Sequence, residues 1–182
     1  MKRNISEDFK LYVDEVADIC KAISKDVILN AKKIGLIENH DWEGFTDPSF
    51  LQNIKDDIPN TPFNYYVDFG GSVTNKFMHI LQKVYPEYNI HDSGYYYYPP
   101  TGYMGWHTNS NRPGKRVYIT WSDGDSSFRF LDADNQVHED PDNVDAPTFR
   151  EFDIPELPNK FWHCVRSENA NRLSFGFRLE KK

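Results

Sequence analysis

Cysteine is scarce: Cys20 and Cys164 are the only two in 182 residues. Two thiols on different predicted elements make neither a disulfide framework nor a thiolate metal site, and both read as buried thiols. Long apolar runs are missing too, since no window approaches the roughly 18 apolar residues of a membrane span. Met1-Lys2-Arg3-Asn4 leads into polar sequence rather than an apolar leader segment. A soluble protein of the cytoplasm is therefore expected. Positive charge is also short, with 21 Lys and Arg against 28 Asp and Glu and a net charge of −7. An extended nucleic-acid surface needs a basic stripe against phosphate and is not expected. The acidic balance instead favours a neutral or basic partner such as a peptide side chain. Aromatic residues are what the chain has in abundance: 13 Phe, 11 Tyr and 4 Trp. Rings of that bulk suit sheets and concave pockets. They exclude general disorder even at a mean hydropathy of −0.73. The length fits one domain with a sizeable core.

Residues 6 to 34 carry apolar side chains at Phe9, Tyr12, Val13, Val16, Ile19, Cys20, Ile23 and Val27, spaced by three and four. That spacing predicts one long amphipathic helix. Asn4 and Glu7 offer it a capping box, Lys32 and Lys33 suit its end, and Gly35 stops it. A second helix is predicted between Ser72 and Tyr85, with Val73, Phe77, Ile80, Leu81 and Val84 on one face and Pro86 barring continuation. A strand is possible at Phe63 to Phe69. From Ser93 onward the pattern becomes short aromatic or β-branched runs between turn residues: Tyr95 to Tyr98, Arg116 to Trp121, Ser127 to Leu131, Phe149 to Ile154, Phe161 to Val165 and Arg172 to Leu179. Six such strands predict a β-sandwich or jelly roll. Residues 1–92 are read as a helical and irregular support region and 93–182 as the jelly-roll core of a single domain. The acidic stretch Asp132 to Asp145 is expected to be a solvated, mobile loop. Its Asp132 and Asp134 lack the glycine and distal Glu of a calcium loop.

Two histidines bracket most of the roll. His107 follows Tyr98-Pro99-Pro100-Thr101-Gly102-Tyr103-Met104-Gly105-Trp106, and His163 lies in Phe161-Trp162-His163-Cys164-Val165. Arg172 then opens the last strand, where alternation puts Arg172, Ser174 and Gly176 on one face and Leu173, Phe175 and Phe177 on the other. Each of these residues alone has a plain structural reading; it is their order along the chain that joins them. His40, His79, His91 and His138 have no motif around them and are assigned no role.

These residues resemble the Fe(II)/2-oxoglutarate-dependent dioxygenases over about half the chain, from Tyr95 to Leu179. In that family a His-x-Asp or His-x-Glu pair and a distant His form a facial triad that leaves positions on iron open. The resemblance implies a double-stranded β-helix, a distorted jelly roll with flanking helices. It implies Fe(II) held by His107, His163 and the side-chain oxygen of Asn109. It implies 2-oxoglutarate as cosubstrate, with its distal carboxylate on Arg172 and Ser174. The Tyr-Pro followed by Gly-Tyr before His107 is similar to the prolyl-hydroxylase-like branch and implies that Tyr98 or Tyr96 bonds the same carboxylate. The chain also resembles small acidic oxygenases of tailed phages that infect cyanobacteria, which would place it in the host cytoplasm. The expected partners are molecular oxygen and an unidentified primary substrate, hydroxylated on a peptide side chain or small metabolite.

One position departs from the pattern. Asn109 stands where the family has a carboxylate, and an amide brings a dipole rather than a charge to the metal. Halogenating members carry Ala or Gly there, and Asn fills the room left for chloride. Asp123 or Asp125 is a candidate source of the missing carboxylate, and Trp106 and Arg116 are candidate wall residues. The rival reading is a non-catalytic member of the same fold that binds metal or 2-oxoglutarate. A hydrolytic zinc site is disfavoured because no free Glu or Asp is placed next to the histidines as a base.

Overall fold

The computed structural model describes residues 7–34, 46, 47, 49, 62–68 and 70–182. In chain order they form helices α1 (Glu7–Lys10) and α2 (Val13–Ile34), strands β1 (Pro62–Phe63) and β2 (Tyr65–Tyr66), and helix α3 (Gly70–Val84). Eight strands follow: β3 (Tyr88–Tyr98), β4 (Tyr103–His107), β5 (Gly114–Ser122), β6 (Ser126–Leu131), β7 (Val137–Pro141), β8 (Thr148–Ile154), β9 (His163–Ser167) and β10 (Arg172–Lys181). They pair into two five-stranded sheets, β1-β4-β9-β6-β7 and β2-β3-β10-β5-β8. Every pair within these sheets is antiparallel. The fold is a jelly roll, mainly β with flanking helices, as the strand grammar predicts.

The period-two pattern of β10 builds the layers. Its apolar face, Leu173, Phe175 and Phe177, joins the larger core with Val16, Cys20 and Ile23 of α2 and Phe77, Ile80 and Leu81 of α3. The Phe77 and Phe175 rings lie 4.7 Å apart. Its other face looks across to the second sheet, where Tyr98, Met104, Phe128, Phe152, Ile154 and Val165 form a smaller core drawn from both sheets. Cys20 and Cys164 are buried and unbonded to each other. Among the described residues, no helix is long and apolar enough to cross a membrane.

Several elements differ from the sequence expectation. The predicted first helix is interrupted at Leu11 and Tyr12, where the Tyr12 amide closes a tight i→i−3 turn on the Phe9 carbonyl. Leu11, 80% exposed, therefore lies off the apolar stripe. The Asn4 cap and the Gly35 stop lie outside the described residues. The second helix begins at Gly70, two residues early, and ends at Val84. The strand at Phe63 to Phe69 is two short pairings instead: β1 extends β4, and β2 extends β3. The chain changes sheets at Asn64, whose amide donates to the Tyr103 carbonyl at 3.2 Å; Phe69 lies outside the described residues. β3 starts at Tyr88, well before Tyr95, and pairs with β10 along its length apart from one bulge. β9 starts at His163 rather than Phe161.

The expectation of a mobile acidic loop from Asp132 to Asp145 is overturned. That stretch contains β7, paired to β6, and its Asp140 and Asp142 are buried. Both carboxylates are held by arginine, which removes the need for water around them.

Candidate functional site

β4 and β9 are neighbours, with Met104 opposite Val165 and His107 opposite His163. Three residue steps on β4 thus span two on β9. This β-bulge lets Met104 and His107 share a face despite their odd separation. The two imidazoles meet with ring centroids 4.1 Å apart and planes tilted by 55°. His107 is 8% exposed and His163 fully buried.

Each imidazole Nδ1 lies against the carbonyl two residues earlier, Gly105 at 2.8 Å for His107 and Phe161 at 2.9 Å for His163. A carbonyl only accepts, so Nδ1 carries the proton and each Nε2 presents a lone pair. Burial pushes His107 down to about 4, against a smaller upward pull from the Gly105 carbonyl. Burial, then the neighbouring His107 and Arg116, hold His163 well below its usual value. Both rings are therefore neutral at pH 7, as metal ligands must be.

Asn109 follows on a backbone with φ of 55°, the left-handed region that Asn tolerates better than most residues. Its amide nitrogen is 3.2 Å from His163 Nε2, where it donates to the lone pair. A half-turn of the amide brings the oxygen to that position instead, and amide orientation is set by the partner present. Two imidazole nitrogens and one amide oxygen make a neutral three-donor set that a divalent first-row cation accepts. Among the described residues, no cluster of three or more His, Cys, Asp or Glu exists, since the third donor here is an amide.

A cavity of about 80 Å³ between the sheets is lined by His107, Asn109 and His163 together with Tyr96, Tyr98, Tyr118 and Ser174. The structure thus gathers six of the seven sequence-predicted site residues around one space. Arg172, the seventh, is fully buried behind Tyr98, with its guanidinium carbon 5.0 Å from that ring's centre. Its Nε donates to Asp142 at 2.8 Å and its Nη2 to the Thr120 hydroxyl at 3.2 Å, while Nη1 is buried without a partner. Asp142 also accepts from Arg150 at 2.5 Å and from Ser126 at 2.6 Å. Burial pushes the Asp142 carboxyl up, but Arg172 and Arg150 together outweigh it and hold it well below the carboxylate range. Tyr118 is pushed up to about 12 by burial.

Asp123 and Asp125 sit elsewhere. Asp123 accepts from the backbone and amide of Asn171, and Asp125 accepts from the amide of Asn169, so both tie the β5–β6 turn to the β9–β10 turn. Neither lines the cavity. Trp106, with Nε1 donating to the Asp47 carbonyl at 3.2 Å, and Arg116 are both buried, and neither lines the cavity. Sequence reasoning missed Tyr118, Asp140, Asp142 and Arg150. A signal for Arg150 exists, because β8 alternation puts Arg150 on the face of Thr148, Phe152 and Ile154. A cation on such a face calls for a buried carboxylate.

No protein-family model matches the chain, and no curated protein matches it in sequence. Solved structures do match. A Pseudomonas putida prolyl-4-hydroxylase aligns with a TM-score of 0.53 at 12% identity, over 90% of this chain and 88% of that one. An oxalate oxidase aligns at a TM-score of 0.35 and 12% identity, over 51% of this chain and 42% of its own. A family 29 carbohydrate-binding module aligns at 0.31 and 13% identity, over 51% and 76%. At these identities the likeness is one of fold.

Proposed function

We propose that the chain is an Fe(II)- and 2-oxoglutarate-dependent dioxygenase acting on a peptide side chain or small metabolite. The observation that carries this reading is the pair of buried, neutral imidazoles, each tied through Nδ1 to a backbone carbonyl and placed 4.1 Å from the other, with Asn109 alongside. His107, His163 and the Asn109 oxygen would hold the metal. When bound, iron and 2-oxoglutarate supply oxidation of an unactivated C–H bond by oxygen, coupled to decarboxylation of the cosubstrate to succinate. The resemblance of the motif order and the prolyl-4-hydroxylase-like fold support the same class.

The residues also fit a cosubstrate carboxylate. Arg172 Nη1 is a buried, orphaned donor, and an added carboxylate oxygen satisfies it. Tyr98 and Ser174 line the approach, with Tyr96 beside them. The aromatic walls Tyr96, Tyr98 and Tyr118 exclude bulk water, which strengthens each polar contact inside.

A second reading has its own observation. Asn109 adds no charge, and Asp142 already neutralises Arg172, as in a member that binds metal or 2-oxoglutarate without turnover. Succinate formation separates the two. Protein supplied with Fe(II), 2-oxoglutarate and oxygen forms succinate, faster with a substrate from a peptide or metabolite screen, and His163→Ala forms none. Stoichiometric binding of metal and 2-oxoglutarate with no succinate throughout the screen supports the second reading.

A further inference from the structure

We infer that Arg116, on the cavity-facing side of β5 and six residue steps along the sheet from Arg172, anchors an anionic group of the primary substrate, so that the substrate carries a carboxylate or a comparable oxyanion. The word substrate rests on the dioxygenase reading; the anion site does not.

Arg116 is 2% exposed. Strand alternation puts it on the face of β5 that carries Tyr118 into the cavity. Its guanidinium donates to two backbone carbonyls, Lys115 at 3.4 Å and Arg112. Among the described residues it has no carboxylate partner. The other two fully buried arginines are treated differently, Arg150 with Asp140 and Asp142, and Arg172 with Asp142, at 2.5 to 2.9 Å. This chain provides internal counter-ions for buried guanidinium groups, and Arg116 is the exception.

Its neighbours deepen the imbalance. Phe152 of β8 and Arg178 of β10 lie directly across from it in the sheet, and exposed Arg112 is in the preceding loop. Arg178 is only partly offset by Glu180 at 3.3 Å on the surface. Burial, with Arg178 and Arg112 adding to it, disfavours the charged form of Arg116 against the smaller support of Tyr118. Three guanidinium groups thus converge at one end of a chain whose net charge is −7. A buried cation without a counter-ion is costly, and an arriving anion removes that cost. A planar carboxylate matches the guanidinium fork.

The sheet register separates this end from the cosubstrate end. Arg172 pairs with Ser122, and Arg178 with Arg116. Six residue steps of strand separate them, roughly 20 Å at about 3.4 Å per residue. Ser174, Gly176 and Tyr118, which line the cavity, fall within that interval. A carboxylate held at Arg172 leaves Arg116 to a second molecule.

The test uses acetate and sulfate as probes at constant ionic strength on the ¹⁵N-labelled full chain. The Arg116 Nε–H resonance, identified by its absence in Arg116→Gln, is expected to shift and saturate. Affinity is expected to fall at least tenfold in Arg116→Gln, less in Arg116→Lys, and two- to fivefold in Arg112→Gln and Arg178→Gln. If Arg116→Gln fails to fold, Arg116→Lys, which also lacks the Nε–H, identifies the resonance, and the wild-type titration and the two rim variants decide. A resonance that does not move, or equal affinity in the folded variants, overturns the anion site. One-for-one displacement of the probe by 2-oxoglutarate overturns the assignment to the primary substrate. Co(II) absorption, read on the same samples, reports the histidines separately: no Co(II) binding removes the dioxygenase reading and leaves the anion site to the resonance alone.

Discussion

Asn109 is the residue through which the proposed metal site is most directly tested. As a neutral donor beside two neutral imidazoles it would give a dication geometry without charge. Asn109→Asp adds a full negative charge at nearly constant size, so Co(II) affinity by calorimetry should rise about tenfold or more. Unchanged affinity would mean that the side chain turns away from the metal. Asp142 plays a different part, as the counter-ion shared by Arg150 and Arg172. Removing its charge leaves two buried guanidinium groups underpaired, and Asp142→Asn should cost about 3–5 kcal/mol in urea unfolding at pH 7. The folded carboxyl titrates below the unfolded value of 3.8. Its contribution is therefore complete above pH 4 and is lost as pH falls toward the folded value. The gap between wild type and Asp142→Asn should be flat from pH 7 to about 5 and narrow below pH 4; a gap that narrows already at pH 6 would contradict the assignment.

β10 separates stability from chemistry by its two faces. Phe77 of α3 is fully buried against Phe175 and Phe177 on the helix side. Phe77→Ala should cost about 3–5 kcal/mol, while Co(II) stoichiometry per folded molecule stays that of wild type; loss of Co(II) binding from the folded variant would show that the two faces are coupled. The same face logic decides what the sequence could reveal. β5 and β10 were legible because one face of each is apolar and alternation is a local signal, and β6 and β8 because aromatic and β-branched residues recur along them. β4 was hidden by the bulge between Met104 and His107, which breaks the alternation. β7 was hidden because Val137-His138-Glu139-Asp140-Pro141 reads as a solvated acidic run, and what orders it is nonlocal: β6 pairs with it, and Arg150 holds Asp140. The order of His107, His163 and Arg172 made the histidine cluster legible. That Arg172 already holds Asp142, and that Arg116 holds no carboxylate among the described residues, depends on pairing across the sandwich and has no local signature.

At the scale of the molecule, helices cover the outside of one sheet and the cavity lies between the two sheets, so the fold's largest apolar core and its polar site share β3, β5 and β10 without sharing a face. Tyr97 and Tyr98 show the division within one strand, Tyr97 in the helix-side core and Tyr98 on the cavity wall. Two buried arginines flank that site along the sheet without lining the cavity, Arg172 held by Asp142 and Arg116 by two backbone carbonyls. His107, Asn109 and His163 are proposed to form an iron site that accepts a 2-oxo acid. Anaerobic calorimetry of the protein with Fe(II), and then of the iron-loaded protein with 2-oxoglutarate, tests it most directly. The expected result is one Fe(II) per chain, one 2-oxoglutarate per iron-loaded chain, and loss of both in His107→Ala and His163→Ala variants that remain folded. Absence of stoichiometric iron binding, or iron binding that survives removal of both histidines, would contradict it.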